Sequence, residues 1–249
     1  MIKSVHAFNC GSMPFDKGYI THQVDMGKIV EMPFTTFLIR ADEGNFLFDA
    51  GMSLEIVEHH RRTSTRVFNM TEEDCIPLRL AQIGVGAEDI NGIIVSHLHS
   101  DHCGFLKAFP RAEIIVQRAE YRFAMNPPPY ERSYVRSNFD LPGRKWRLIE
   151  GDEVIMPGMA VISTPGHTPG HQSLVLDLAG GSCLIITGDA VNTQESIDKE
   201  IIPGIYHNAH EAFYSLKRIK TLARLKNARL LFSHDIEWHK EKKKTEDFC

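Results

Sequence analysis

The sequence is poor in the features that mark the specialised protein classes. Its five cysteines, Cys10, Cys75, Cys103, Cys183 and Cys249, are odd in number, scattered, and form no Cys-x-x-Cys pair. That excludes a disulfide framework as the organising element and points to a reducing compartment. No run approaches the ~20 apolar residues that a bilayer-spanning helix needs. Met1 to Phe8 has too short an apolar stretch for a secretory leader, and Asn9 and Cys10 end it. The expectation is therefore a cytoplasmic protein without a membrane partner. Net charge is only −4 over 249 residues, so no strong field recruits nucleic acid. No Ser/Gly linker and no internal repeat divides the chain, and residues 1–249 read as a single domain.

What the chain does have is a series of short apolar runs separated by turn residues. Phe34 to Ile39 and Asn45 to Asp49 flank Ala41-Asp42-Glu43-Gly44, which predicts a hairpin. Residues 93–96, 113–117, 160–163, 173–178, 182–187 and 229–233 are further strand candidates. Three helices are expected. Thr71-x-x-Asp74 resembles a capping box opening a helix through Ile83, with Gly84 to stop it. Arg118–Met125 forms a second, ending before three prolines. Residues 209–225 form a third, with Ala212, Phe213, Leu216, Ile219 and Ala223 at helical spacing. The polar stretch from Met52 to Met70 reads as a solvated loop or helix, and Lys240 to Lys244 as a solvated tail. Strands interspersed with helices imply an α/β protein with covered sheets.

The most informative segment is His97-Leu98-His99-Ser100-Asp101-His102, directly after Ile93-Ile94-Val95. Imidazole nitrogen and carboxylate oxygen ligate zinc and similar divalent ions. In extended backbone, alternate residues point the same way, so His97, His99 and Asp101 can share a face while His102 turns elsewhere. Four potential ligands in six residues exceed what one ion usually takes from one segment, which suggests two neighbouring ions. Partners lie farther along the chain. Thr164-Pro165-Gly166-His167-Thr168-Pro169-Gly170-His171 offers His167 and, in competition, His171. Asp189 follows the apolar run Leu184-Ile185-Ile186, and His234 follows Leu230-Leu231-Phe232-Ser233. Strand ends are where a rigid sheet can present ligands. Asp49, in Phe48-Asp49-Ala50-Gly51, is a candidate to orient a ligating histidine from behind.

Taken together, His97-x-His99-x-Asp101-His102, His167, Asp189 and His234 resemble the ligand set of the metallo-β-lactamase superfamily. Within it the chain looks most like the N-acyl-homoserine lactonases. That similarity extends through Thr71-Glu72-Glu73-Asp74, 115–121, Ile149-Glu150-Gly151-Asp152, 165–174 and His234-Asp235-Ile236-Glu237. The resemblance implies a four-layer αβ/βα sandwich with metals at one edge between the sheets. It implies two divalent ions, zinc by preference, one held by His97, His99 and His167 and the other by Asp101, His102 and His234. Asp189 and a hydroxide would bridge them. The implied activity is opening of a lactone ring by that bridging hydroxide, with Asp101 carrying a proton to the leaving alkoxide. The substrate is then a small-molecule lactone and the protein a monomer or homodimer.

Three positions depart from the lactonase pattern. Many such lactonases carry a tyrosine three residues after the bridging aspartate, donating to the substrate carbonyl; here that place is Asn192, whose amide can also donate. Ser100 stands where an aromatic residue is common, and Cys103-Gly104 where two glycines are. These changes bear on the pocket and leave the metal ligands intact. The nearest rival activity is another lactone, ester or thioester hydrolase, either an aromatic lactonase or a glyoxalase-II-like enzyme. Nuclease, diiron flavoprotein and non-catalytic scaffold readings lack, in turn, a basic groove, a flavin domain and any need for every ligand. Met13, Phe15, Tyr19 and Phe68 are candidates for an acyl pocket, although core packing explains their apolar character more simply.

Overall fold

The computed structural model describes residues 1–63, 66–240 and 245–248. Cys249 and the charged run 241–244 lie outside them. Two sheets carry the fold. The first contains β1 (Ile2–Asp16), β2 (Ile29–Ala41), β3 (Gly44–Phe48), β4 (Ile90–Ile94), β5 (Glu113–Gln117), β6 (Trp146–Ile149) and β12 (Thr245–Phe248), in the order β12-β1-β2-β3-β4-β5-β6. The second contains β7 (Glu153–Met156), β8 (Met159–Ser163), β9 (Gln172–Asp177), β10 (Cys183–Ile186) and β11 (Arg229–Leu231), in the order β11-β10-β9-β8-β7. The helices are α1 (Lys17–Ile20), α2 (Leu54–Thr63), α3 (Ile76–Gln82), α4 (Ser100–Cys103), α5 (Arg118–Met125), α6 (Gln194–Lys199), α7 (Ala209–Lys226) and α8 (Ile236–Lys240).

Alternation along the strands explains why the sheets stack. Phe37, Phe48, Ile94 and Ile115 turn inward and meet Val161, Leu174, Leu176 and Ile186 of the second sheet. Their neighbours Leu38, Leu47, Ile93 and Ile114 turn outward and pack beneath Val57 of α2, Ile76 and Leu80 of α3, and Ala124 of α5. On the far side, Val175 and Ile185 pack against Ile197 of α6 and Leu216 and Ile219 of α7. Strands buried on both faces read as continuous apolar runs rather than alternating ones. Each such side chain contributes roughly 1.5–3 kcal/mol on burial. The layers are helix, sheet, sheet, helix: the αβ/βα sandwich expected from the sequence.

β2–β3 is the predicted hairpin, antiparallel with Phe37 opposite Phe48. From β3 onward the first sheet runs parallel through β4, β5 and β6. The long β1, with a register shift between Asn9 and Ser12, was not legible as a strand, nor were β6 and β7. The helix expected from Thr71 is broken. Thr71 donates both its N–H and its hydroxyl to Asp74 Oδ2 at 2.9 Å, but only the 3₁₀ turn Glu72–Asp74 follows. Cys75 is extended and α3 begins afresh at Ile76. Pro77 is the reason: it suits a first helical turn, where its missing N–H is not needed, and not a helix interior. On α7, Phe213 lies beside the buried stripe and is largely exposed. Residues 52–70 are only partly solvated: α2 exposes its polar face but buries Val57, and Met52, Phe68 and Met70 are buried. Among the described residues no helix is long and apolar enough to cross a membrane.

Candidate metal centre

The segments after β4, β8, β10 and β11 come together at one edge, and each carries a predicted ligand. His97 and His99 follow β4, His99 in extended backbone, and α4 then turns Asp101 and His102 into a helical turn. The alternation expected to align His97, His99 and Asp101 therefore holds for the first two only. Asp101, in the first turn of α4, joins His102 and His234 instead. One ligand atom from each of His97, His99 and His167 lies within 4.8 Å of the others, and the same is true of His97, His102 and Asp189 and of Asp101, His102 and His234. The Asp189 carboxylate stands between the groups. Its Oδ1 is 3.4 Å from His102 Nε2 and 3.2 Å from His234 Nε2, while its Oδ2 is 3.4 Å from His167 Nε2.

The outer nitrogens determine which ring atoms face the cluster. His167 Nδ1 donates to the Ile205 carbonyl at 2.8 Å and His234 Nδ1 to the Pro33 carbonyl at 2.7 Å. His102 Nδ1 donates to Asp49 Oδ2 at 2.8 Å. Each leaves an Nε2 lone pair aimed inward, the arrangement a metal-ligating histidine requires. His97 Nε2 and His167 Nε2 approach His99 Nδ1 at 3.0 and 3.1 Å. Buried and without a hydrogen-bond partner, His102 Nε2 and Asp189 Oδ1 also point into the cluster. Left so, each such atom costs about 1–3 kcal/mol. Convergent lone pairs of this kind suit divalent cations, and the nitrogen and carboxylate donors suit zinc-class ions.

The electrostatics agree. Burial pushes His97 and His99 well below the usual histidine range, so both are neutral and able to ligate. Burial also opposes charge on His102 and His234, but Asp189 and Asp101 outweigh it and favour positive charge there, a charge that a bound cation would supply in place of a ring proton. Burial opposes charge on Asp189 too, yet His234 and His102 hold its carboxyl well below the usual range.

His171, the competitor within the 164–171 repeat, joins none of the three groups. Its Nε2 accepts the Asp189 backbone N–H at 2.9 Å and its Nδ1 lies 2.9 Å from Thr164 Oγ1. Burial lowers it to about 3, so it is a neutral ring that fixes the backbone carrying Asp189. Gly188, at φ +55°, is required there, because a Cβ would sit 2.6 Å from His171 Nε2. Ser96 and Thr164 were not anticipated from the sequence. Ser96 Oγ donates to Asp49 Oδ2 at 2.9 Å and lies 2.9 Å from His97 Nδ1. The only sequence signal for Ser96 is a hydroxyl closing an apolar run.

A cavity of about 180 Å³ opens over the cluster, with His99, Asp101, His167, Asp189 and His234 on its floor. Met13, Phe15, Tyr19 and Phe68 line it, so the core-packing explanation given to them from the sequence is incomplete: Phe68 serves both the cavity and the core. Ser100 and Asn192 are also in the wall. Asn192 donates one amide hydrogen to the Ile20 carbonyl at 3.0 Å, and its Oδ1 is buried without a partner. A larger open groove of about 760 Å³, bordered by α6 and α7, contains none of the cluster residues.

Residues 33–234 match the model of the metallo-beta-lactamase superfamily. An N-acyl homoserine lactonase of Bacillus cereus is 33% identical over 246 residues, covering 96% of each chain. The N-acyl homoserine lactonase AttM of Rhizobium radiobacter is 30% identical over 235 residues, covering 89% of each. Among solved structures, an N-acyl homoserine lactone hydrolase with the product N-hexanoyl-L-homoserine bound at its catalytic metal center superposes with a TM-score of 0.86 at 32% identity. That match covers 97% of this chain and 96% of the other.

Proposed function

The chain belongs to the metallo-β-lactamase superfamily, and from that premise we propose that it hydrolyses the lactone ring of N-acyl-homoserine lactones, a quorum-quenching activity. The observation that carries this reading is the Asp189 carboxylate standing between two groups of inward-facing imidazoles, at the floor of a cavity with an apolar wall. His97, His99 and His167 would hold one divalent ion and Asp101, His102 and His234 a second, with Asp189 shared. Zinc is the ion proposed, since it takes imidazole nitrogen and carboxylate oxygen together.

Two such ions, when bound, supply Lewis acidity and a hydroxide nucleophile near neutral pH. The protein's own side chains do the rest. Asp101 borders the cavity and is partly exposed. It would take the remaining proton of the attacking hydroxide and deliver it to the ring oxygen as the acyl–oxygen bond breaks, leaving a carboxylate and a free hydroxyl. The carbonyls of Ile205 and Pro33 and the carboxylate of Asp49 hold the ligating rings in register. The remaining amide hydrogen of Asn192 is available to the substrate carbonyl. Met13, Phe15 and Phe68 offer apolar surface to the acyl chain.

The same reading takes residues 1–249 as one hydrolase domain that works on a small molecule in the cytoplasm, as a monomer or homodimer, without nucleic-acid or membrane partners. Four buried free cysteines, Cys10, Cys75, Cys103 and Cys183, accord with a reducing compartment. A second reading, hydrolysis of an aromatic lactone or a thioester, is favoured by Ser100 and Asn192, which leave the cavity wall without the aromatic side chains of many lactonases.

Ring opening should be assayed on short- and long-chain N-acyl-homoserine lactones beside an aromatic lactone and a thioester, with elemental analysis of the same protein. The expected result is about two zinc equivalents and the highest kcat/KM on an acyl-homoserine lactone. Fully active protein with a stable single equivalent would remove the binuclear centre. Faster thioester turnover would shift the substrate class.

A further inference from the structure

One buried carboxylate has no part in the ligand groups and yet joins the segments that carry them. Glu120, on α5, is wholly inaccessible to solvent. Its Oε1 accepts the Leu98 N–H at 2.9 Å and the Tyr134 hydroxyl at 2.9 Å. Its Oε2 accepts the Thr168 hydroxyl at 2.7 Å and the Gly170 N–H at 3.2 Å. Leu98 lies between His97 and His99, and Thr168 follows His167. Tyr134 packs its ring edge-on to His99 with centroids 4.7 Å apart. One side chain thus touches the neighbours of all three histidines in the first ligand group. No hydrogen bond of Glu120 reaches the segments carrying His234 or Asp189.

Burial raises the Glu120 carboxyl above its usual range, and its four partners pull it back. Two of the four are backbone N–H groups, which can only donate. A carboxylate accepts from all four, and charge-assisted bonds of this kind offset the cost of burying it. The approach is close: a Cβ on Gly170 would lie 2.1 Å from the Glu120 backbone nitrogen, so the 167–170 loop sits directly on the start of α5.

We propose that Glu120 is a positioning residue for one metal only: its carboxylate clamps the His97–His99 segment to the His167 loop, and so sets the affinity of the His97, His99, His167 position without setting that of the Asp101, His102, His234 position. The loops come from opposite sheets, the first after β4 and the second after β8, and the clamp holds their imidazoles at common distances. Glutamine in place of Glu120 keeps one oxygen and turns an amide NH₂ onto a backbone N–H, which cannot rotate to accept.

This inference rests on the cluster binding two ions, and the test separates the two claims. Zinc is titrated against a competing chelator, with thermal melting of the same apo samples, for wild type, Glu120→Gln and Thr168→Val. The last removes one arm of the clamp only, and remains informative where Glu120→Gln fails to fold. Wild type should bind two zinc ions; if it binds none, the metal reading itself fails. In both variants one equivalent should weaken by about 10–100-fold, the range for outer partners of metal ligands, while the other stays at wild-type affinity. Equal weakening of both ions overturns the proposal. So does retention of both ions with only a lower melting temperature, because Glu120 would then be a stabilising core residue.

Discussion

His102 Nδ1 lies 2.8 Å from Asp49 Oδ2, and neither side chain is more than 2% exposed. Asp49 reaches this place by adopting φ +64°, a left-handed backbone that aspartate and asparagine tolerate better than most residues. It also accepts the Ser96 N–H at 2.7 Å and the Ser96 hydroxyl at 2.9 Å. Burial raises its carboxyl above the usual range, against the pull of His102. A turn residue just past β3 thus holds the outer face of a ligating ring, and the backbone strain sits where the site needs the carboxylate.

Asp49→Asn keeps the backbone preference and the shape while removing the charge. Zinc affinity should fall by roughly 10–100-fold, and added zinc should restore much of the activity. Chelator competition measures the first and kcat/KM at rising zinc the second. Unchanged affinity would make Asp49 a turn residue and nothing more.

Asp101→Asn should lose more turnover than metal. The carboxylate is asked both to help hold an ion with His102 and His234 and to move a proton, and asparagine keeps only a weak oxygen ligand. Metal content and kcat measured on one preparation separate these roles. A strictly proportional fall would leave no separate proton transfer.

Asn192→Ala removes the donor to the Ile20 carbonyl and, on the proposed function, the amide hydrogen offered to the substrate carbonyl. The expected cost is about 0.5–1.5 kcal/mol in transition-state stabilisation, a several-fold fall in kcat/KM, with both metals retained. Stability should fall by about 1 kcal/mol from the lost Ile20 bond, read as a lower urea midpoint. A stability loss alone would mean that the metals and other groups handle the carbonyl.

The buried thiols should be silent in the native protein. Burial pushes Cys10 up to about 12 and Cys75 and Cys183 to about 11, and holds Cys103 well above the usual thiol range. The thiolate is the reactive form, so disulfide reagents at neutral pH should modify these four only as the chain unfolds. Labelling followed by mass spectrometry across a denaturant series tests this; rapid native labelling of Cys103 would show that the segment after the metal motif opens.

Much of the site was legible in the sequence because ligand chemistry leaves little choice of residue. His97, His99, Asp101, His102, His167, Asp189 and His234 were nameable from residue type and from their places after apolar runs. β4, β10 and β11 do end just before the segments that carry His97, Asp189 and His234. The helix near 209–225 followed from periodicity and the end of the one at 118–125 from the prolines after it, signals that act over a few residues. β1 did not: it is paired on one side by β2 and on the other by β12 from the far end of the described chain, and its own pattern is irregular across the bulge.

What only the tertiary structure decided is the geometry behind the division of ligands that the family resemblance implied and strand alternation did not. Strand alternation placed Asp101 beside His97 and His99; the turn of α4 sends it to His102 and His234. The repeat at 164–171 offered two histidines by residue type, of which the resemblance favoured His167. Packing aims His167 into the cluster through the Ile205 carbonyl and turns His171 to the backbone of Asp189. Glu120 and Thr164 carry no mark of their roles in the sequence, and Ser96 only a hydroxyl closing an apolar run, because a buried polar group is identified by the partners around it, and those arrive from other segments. Ligand type is a property of single side chains and can be read one residue at a time. Which lone pairs converge, and what holds them there, depends on contacts between residues up to 201 positions apart, as between His234 and Pro33, and exists only once the two sheets have stacked.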